Sequence, residues 1–258
     1  MYLKKRAVRI VCAAMAAMML LSGCGGGADA PGSAEGGETA AASEGGSTGE
    51  VKTTVTKRKL SDQTTYDPYK TADQNEWEDM YGIYDQLFRE EADGSTVPNL
   101  VTEYSFNDDG TELTMGIRDD VTFHNGDPLT VDDVVFSLNT SIASSFTTKF
   151  TSVMDHAEKV DDNTVKLVLK HAYNPILGCL VSAPTSIVPK AVYEEDPESF
   201  TDSPVGSGPY TVSEIVKGER YVYEAYPDYW RGEAAIKTVV ARVIPDGNAA
   251  LMALESGE

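Results

Sequence analysis

Little in this sequence is equipped for catalysis. Its three histidines, His124, His156 and His171, each stand alone. No His-Glu-x-x-His, Cys-x-x-Cys or Gly-x-Ser-x-Gly pattern occurs, so local sequence assembles neither a zinc centre nor a nucleophile elbow. The expectation is therefore no catalytic residue, no metal site and no cofactor, with His124 structural. Cysteine is as scarce. Cys12 and Cys24 lie near the N-terminus, and only Cys179 remains for a folded part, which excludes an internal disulfide. Within Ile176-Leu177-Gly178-Cys179-Leu180-Val181 it reads as a small buried hydrophobe. Bases are outnumbered, 21 against 41 acids, for a net charge of −20. Beyond the N-terminus no basic cluster occurs, so nucleic acid is not an expected partner. The N-terminal apolar run, Ile10 to Leu21, is too short to span a bilayer as a stable anchor.

That run is the apolar part of an export signal over residues 1–23. Lys4, Lys5, Arg6 and Arg9 form its positive start. Leu21-Ser22-Gly23-Cys24 resembles the bacterial lipobox, which implies that Cys24 is lipidated and opens the mature chain. Two acyl chains on one thioether would hold a membrane stably where one would not. The stretch after Cys24 to residue 50 contains nine glycines and no large apolar residue. It reads as a flexible tether reaching on the order of 30 Å. The domain plan is thus signal 1–23, linker 24–50 and a folded part from residue 51, with 41% hydrophobic content for a core.

The stretch from Phe123 to Leu138 organises that folded part. Asn125-Gly126 is a strong turn dipeptide, and Pro128 bars continued strand pairing. Thr130 is a good N-cap, with Asp133 placed for a capping box and Asp132 beside it favoured by the helix dipole. Val131, Val134, Val135, Leu138 and Ile142 make one helical apolar face. Upstream, Val51–Leu60 reads as a strand, Tyr66-Asp67-Pro68-Tyr69 as a turn, and residues 76–90 as one helix. The stripe of that helix is Trp77, Met80, Tyr81, Tyr84, Leu87 and Phe88. Asp93-Gly94-Ser95 and Asn107–Gly110 mark turns, with a strand over Thr111–Arg118. Downstream, Val165, Leu167 and Leu169 alternate as a strand. Short helices are expected over Ile176–Val181 and from Pro189 toward Glu195. Tyr210–Val216 and Glu219–Tyr226 flank Lys217-Gly218 as a hairpin. Ile236–Ile244 reads as a central strand, and Asp246 caps a last helix through Leu254.

Several of these stretches carry one resemblance. Phe123-His124-Asn125-Gly126-Asp127-Pro128-Leu129-Thr130, leading into Asp133-Val134-Val135-Phe136-Ser137, resembles the signature of the peptide/nickel class of bacterial extracellular solute-binding proteins. Pro204-Val205-Gly206-Ser207-Gly208-Pro209-Tyr210 is similar to that family's Gly-Thr-Gly-Pro-Tyr motif, with Ser207 a departure. Pro227-Asp228-Tyr229-Trp230-Arg231-Gly232 resembles its Asn-x-Asp-Tyr-Trp-x-Gly turn, with Pro227 a small departure. On the residues alone, the glycines of the 206–208 loop read as permitting a backbone bend at Pro209.

The resemblance implies an α/β, two-lobed periplasmic-binding-protein-like fold of type II. The first lobe would have a mixed sheet with flanking helices. Family members are longer, so the chain reads as an N-terminal portion with the second lobe missing. Such a fragment would be aggregation-prone and would bind its ligand weakly. The implied role is capture of a small solute, peptides before nickel chelates, opines or oligosaccharides, and delivery to ABC permease subunits. The protein would be a monomer, lipid-anchored on the extracytoplasmic face. Ligand-facing candidates are Tyr69, Lys70, Thr71 and Asp73 after the Asp-Pro turn, and Gly206, Ser207 and Gly208. A surface-anchored sensor on the same fold and a secreted hydrolase are the competing readings.

Overall fold

A computed structural model describes residues 52–257; the expected signal, Cys24 and linker lie outside the described residues. Two four-stranded sheets organise this part. The first has the order β1-β10-β9-β8, from Thr54–Lys59, Thr238–Val243, Arg220–Ala225 and Tyr210–Val216. It is mixed: β1 runs parallel to β10, and the other pairs are antiparallel. The Val- and Ile-rich strand expected over 236–244 takes an interior position as β10, where its neighbours cover both edges. The hairpin β8–β9 turns at Gly218, whose φ of 79° explains the glycine.

The second sheet is antiparallel with the order β4-β5-β7-β6, from Val101–Phe106, Glu112–Ile117, Thr164–Leu169 and Met154–Lys159. Alternation sets its faces. Leu113, Met115 and Ile117 on β5 and Val165, Leu167 and Leu169 on β7 are all buried. They meet across the ladder as Leu113 opposite Leu167 and Met115 opposite Val165. Burying each such side chain contributes about 1.5–3 kcal/mol. Helix α2, Val131–Ala143, covers this sheet with Val131, Val134 and Leu138. Its capping box is formed as expected: Thr130 Oγ1 accepts from the Asp133 N–H, and Asp133 Oδ2 accepts from the Thr130 N–H at 2.8 Å.

A small hairpin, β2 Phe88–Glu90 with β3 Thr96–Pro98, turns at Gly94. The short helices α3 Thr148–Thr151, α4 Ile176–Cys179 and α5 Lys190–Glu195 line the connections, and α6 spans Gly247–Ser256. Asp246 caps α6 by accepting from the Ala249 N–H at 2.8 Å.

Helix α1 corrects the expectation of one helix over 76–90. It runs only from Gln74 to Ile83. Tyr84 turns extended, with φ −118° and ψ 145°, and Phe88–Glu90 is strand β2. Trp77, Met80, Tyr84, Leu87 and Phe88 are buried as their spacing suggested, but Tyr81 is exposed. Tertiary bonding outweighs the helical pattern here. The Ile83 carbonyl accepts from the Gly208 N–H at 2.8 Å, and the Asp85 carbonyl from the Ile187 N–H at 3.1 Å. Cys179 is also corrected in degree: it is half-buried against the core rather than enclosed.

Candidate functional site

Two constellations flank α1. At its N-terminal end is the Asp67-Pro68 turn. Asp67 is fully buried, and its Oδ1 accepts from the Tyr69 N–H at 2.9 Å while Oδ2 accepts from the Tyr193 hydroxyl at 2.8 Å. The Tyr69 hydroxyl donates to the Ser186 carbonyl at 2.7 Å, and its ring meets Tyr193 edge-on. Burial holds the Tyr69 phenol well above its ordinary range, so it acts as a neutral donor. Lys70 reaches solvent and bridges Asp67 at 3.5 Å and Glu198 at 2.7 Å. Its partial burial disfavours charge, but the bond to Glu198 and the field of Asp67 outweigh that and raise its pKa. Buried Thr71 Oγ1 accepts from the Asp73 N–H at 3.0 Å, and exposed Asp73 caps α1 by accepting from the Asn75 N–H at 2.9 Å.

At the C-terminal end of α1 is a hub that sequence reasoning missed. Asp85, 4% exposed, accepts four hydrogen bonds. Asn99 Nδ2 and the Tyr229 hydroxyl donate to Oδ1 at 3.0 and 3.1 Å, and the Ser207 hydroxyl and Trp230 Nε1 donate to Oδ2 at 3.1 and 2.9 Å. Burial lifts the Asp85 carboxyl above the usual range, and these four donors pull it back. One available signal was an acid set among buried apolar positions, since a buried carboxylate requires donors.

His124 ties the signature turn to the same loop. The His124 N–H donates to the Gly206 carbonyl at 2.8 Å, and the Gly206 N–H donates to His124 Nδ1 at 3.2 Å. With Nδ1 accepting, the ring proton belongs on Nε2, which bonds the Gly208 carbonyl at 2.9 Å. Burial lowers the pKa of His124, which favours this neutral form. The expected structural role for His124 therefore has a stated geometry. The reading of the 206–208 loop changes: neither glycine has positive φ, so no bend demands them. A Cβ at Gly206 would overlap the Ile83 carbonyl, and one at Gly208 would sit 2.6 Å from the Ile83 carbonyl carbon. They are glycines because the loop lies directly against the backbone of α1.

Tyr69, Lys70, Thr71 and Asp73 therefore stand together at one end of α1, and Gly206, Ser207 and Gly208 at the other. Ten helical residues separate the ends by about 15 Å. Of these seven residues only Lys70 and Asp73 reach solvent appreciably. Asp132 and Asp133 do not form an acid/base pair: Asp132 meets Lys159 at 3.1 Å, while Asp133 serves the capping box and the Lys190 N–H. Among the described residues, no group of three or more metal-ligating side chains is present.

Residues 95–258 match the family described as bacterial extracellular solute-binding proteins, family 5 Middle. The chain is 34% identical over 161 residues to the oligopeptide-binding protein AppA of Bacillus subtilis, covering 58% of this chain and 30% of AppA. The structure of AppA with a nonapeptide superposes with a TM-score of 0.72 at 25% identity, over 79% of this chain and 42% of that one. This chain is also 26% identical over 189 residues to the nickel-binding periplasmic protein of Escherichia coli, covering 68% of this chain and 34% of that protein. The protein MoaA of A. tumefaciens R10, solved with mannopinic acid, matches with a TM-score of 0.71 at 29% identity, over 80% of this chain and 44% of that one. The chain spans about a third of the length of the curated relatives it matches.

Proposed function

The chain belongs to the bacterial extracellular solute-binding proteins of family 5, and on that premise we propose that it serves an ABC importer by capturing short peptides outside the cytoplasm. The family consists of binding proteins rather than enzymes, and its members are extracytoplasmic. Peptide is preferred because the 34% identical relative is named for oligopeptide binding. An extended peptide held through its backbone needs few side-chain determinants on the receptor. In this reading the stretch bearing Tyr69, Lys70, Thr71 and Asp73 faces the ligand. The Gly206, Ser207 and Gly208 loop backs it from the other end of α1. Lipidation at Cys24 and the linker to residue 50 hold the folded part, from residue 51, close to the membrane, where it meets the permease subunits.

An opine is the second reading, favoured by the 29% identity to a protein solved with mannopinic acid. A thermal-shift screen separates the two. A ligand that binds only the native state raises the melting temperature. Di-, tri- and tetrapeptides are expected to do so. A shift with mannopinic acid or a nickel chelate, and none with peptides, would overturn the choice.

A further inference from the structure

A polar groove of about 800 Å³ lies where the β2–β3 hairpin, the start of β4, the end of β5 and the Trp230 turn meet. Its size falls in the range of small-molecule sites. The elements that build it are not those that carry Tyr69 to Asp73. Three of the six arginines in the described residues line it, Arg89, Arg118 and Arg231, in a protein whose net charge is −20.

One wall is an aromatic face held in place from two sides. The Trp230 indole N–H is fixed to buried Asp85 at 2.9 Å. The Arg118 guanidinium lies over the ring at 3.6 Å from its centroid. Arg118 is itself locked by two bonds to Asp120, at 2.6 and 2.7 Å. A planar guanidinium held in this way stacks without further ordering cost when a ligand arrives. Arg89 pairs with Glu91. With these pairs formed, Arg231 remains as a cation with no carboxylate partner among the described residues, and Glu103 and Asp119 remain as unpaired carboxylates lining the same groove. Separated charges of both signs beside a fixed aromatic face suit a ligand that carries both signs.

We propose that this groove is a second binding site, for a zwitterionic ligand carrying an ammonium and a carboxylate: a free amino acid or the two termini of a short peptide. The carboxylate pairs with Arg231, the ammonium with Glu103 or Asp119, and the body of the ligand lies along the Arg118 guanidinium stacked on Trp230.

The protein has two tryptophans, Trp77 in the core and Trp230 in the groove. A Trp77→Phe variant therefore makes Trp230 the sole tryptophan reporter under excitation selective for tryptophan over tyrosine, and calorimetry on the unmodified chain guards against misfolding of that variant. Trialanine is the probe, beside its N-acetyl and C-terminal amide forms and free alanine. The expected result is a saturable change in Trp230 emission with a dissociation constant of about 1 mM or tighter. Arg231→Gln weakens trialanine binding by at least about tenfold. The amide form loses a similar factor on the unmodified chain and nothing further on Arg231→Gln, as a shared contact requires. Free alanine binding as tightly as trialanine identifies an amino-acid site; weaker binding identifies peptide termini. Lys70→Ala leaves the Trp230 signal unchanged, which separates this site from the one proposed above. Unchanged affinity in both Arg231→Gln and Glu103→Gln, or no saturable Trp230 response, would overturn the proposal.

Discussion

Asp85 concentrates more consequence in one side chain than any sequence motif announced. Replacing it with alanine leaves four donors, on buried Asn99 and Ser207 and half-buried Tyr229 and Trp230, without their acceptor. Hydrogen bonds to a charged group contribute about 1.5–3 kcal/mol each and do not add. Asp85→Ala is expected to lose about 2–4 kcal/mol in urea unfolding, seen as a lower midpoint with an unchanged slope. A loss under about 0.5 kcal/mol would mean the hub is incidental. His124 gives a pH dependence with a defined sign. Its folded pKa lies below the ordinary value near 6.5, because burial disfavours the charge and Nδ1 must accept from Gly206. The unfolded chain therefore binds the proton first as pH falls. Stability is full above about 6.5 and declines as pH falls through the folded pKa. Unfolding midpoints compared at pH 7.5 and 5.5 should show this decline in the parent and lack its share in His124→Gln.

At the level of elements, the boundary of α1 shows where sequence reading ends. The signature turn, capping box, hairpin at Gly218 and interior strand β10 were legible, because turn chemistry and alternation are local. The stop at Ile83 was not, since it depends on Gly208 and Ile187 binding backbone groups more than a hundred residues away. Nor was the reason for Gly206, which is a contact and not a conformation. Place after the Asp-Pro turn does not encode the burial of Tyr69 and Thr71, nor does place in the Gly206–Gly208 loop encode that of Ser207, because each depends on distant packing. A paired substitution tests the contact argument. Gly206→Ala forces a methyl into the Ile83 carbonyl and should cost about 1–3 kcal/mol or more. Gly178→Ala, in α4 with open space around it, should be neutral or gain up to about 1 kcal/mol. Equal melting temperatures for the two variants would contradict the close approach of the loop to α1.

For the whole molecule, family membership rests on the match over residues 95–258, and the fold is shared with the peptide-complexed AppA and opine-complexed MoaA structures. The proposed anchor is tested by Cys24→Ser, which should abolish incorporation of labelled palmitate; labelling equal to the parent would exclude Cys24 as the lipid site. Peptide capture is the function proposed for the protein. Its most direct test is mass spectrometry of the small molecules released when the protein, purified from its native cell envelope, is denatured. Short peptides in stoichiometric amounts are expected; release of an opine, a nickel chelate or a sugar in their place would contradict peptide capture.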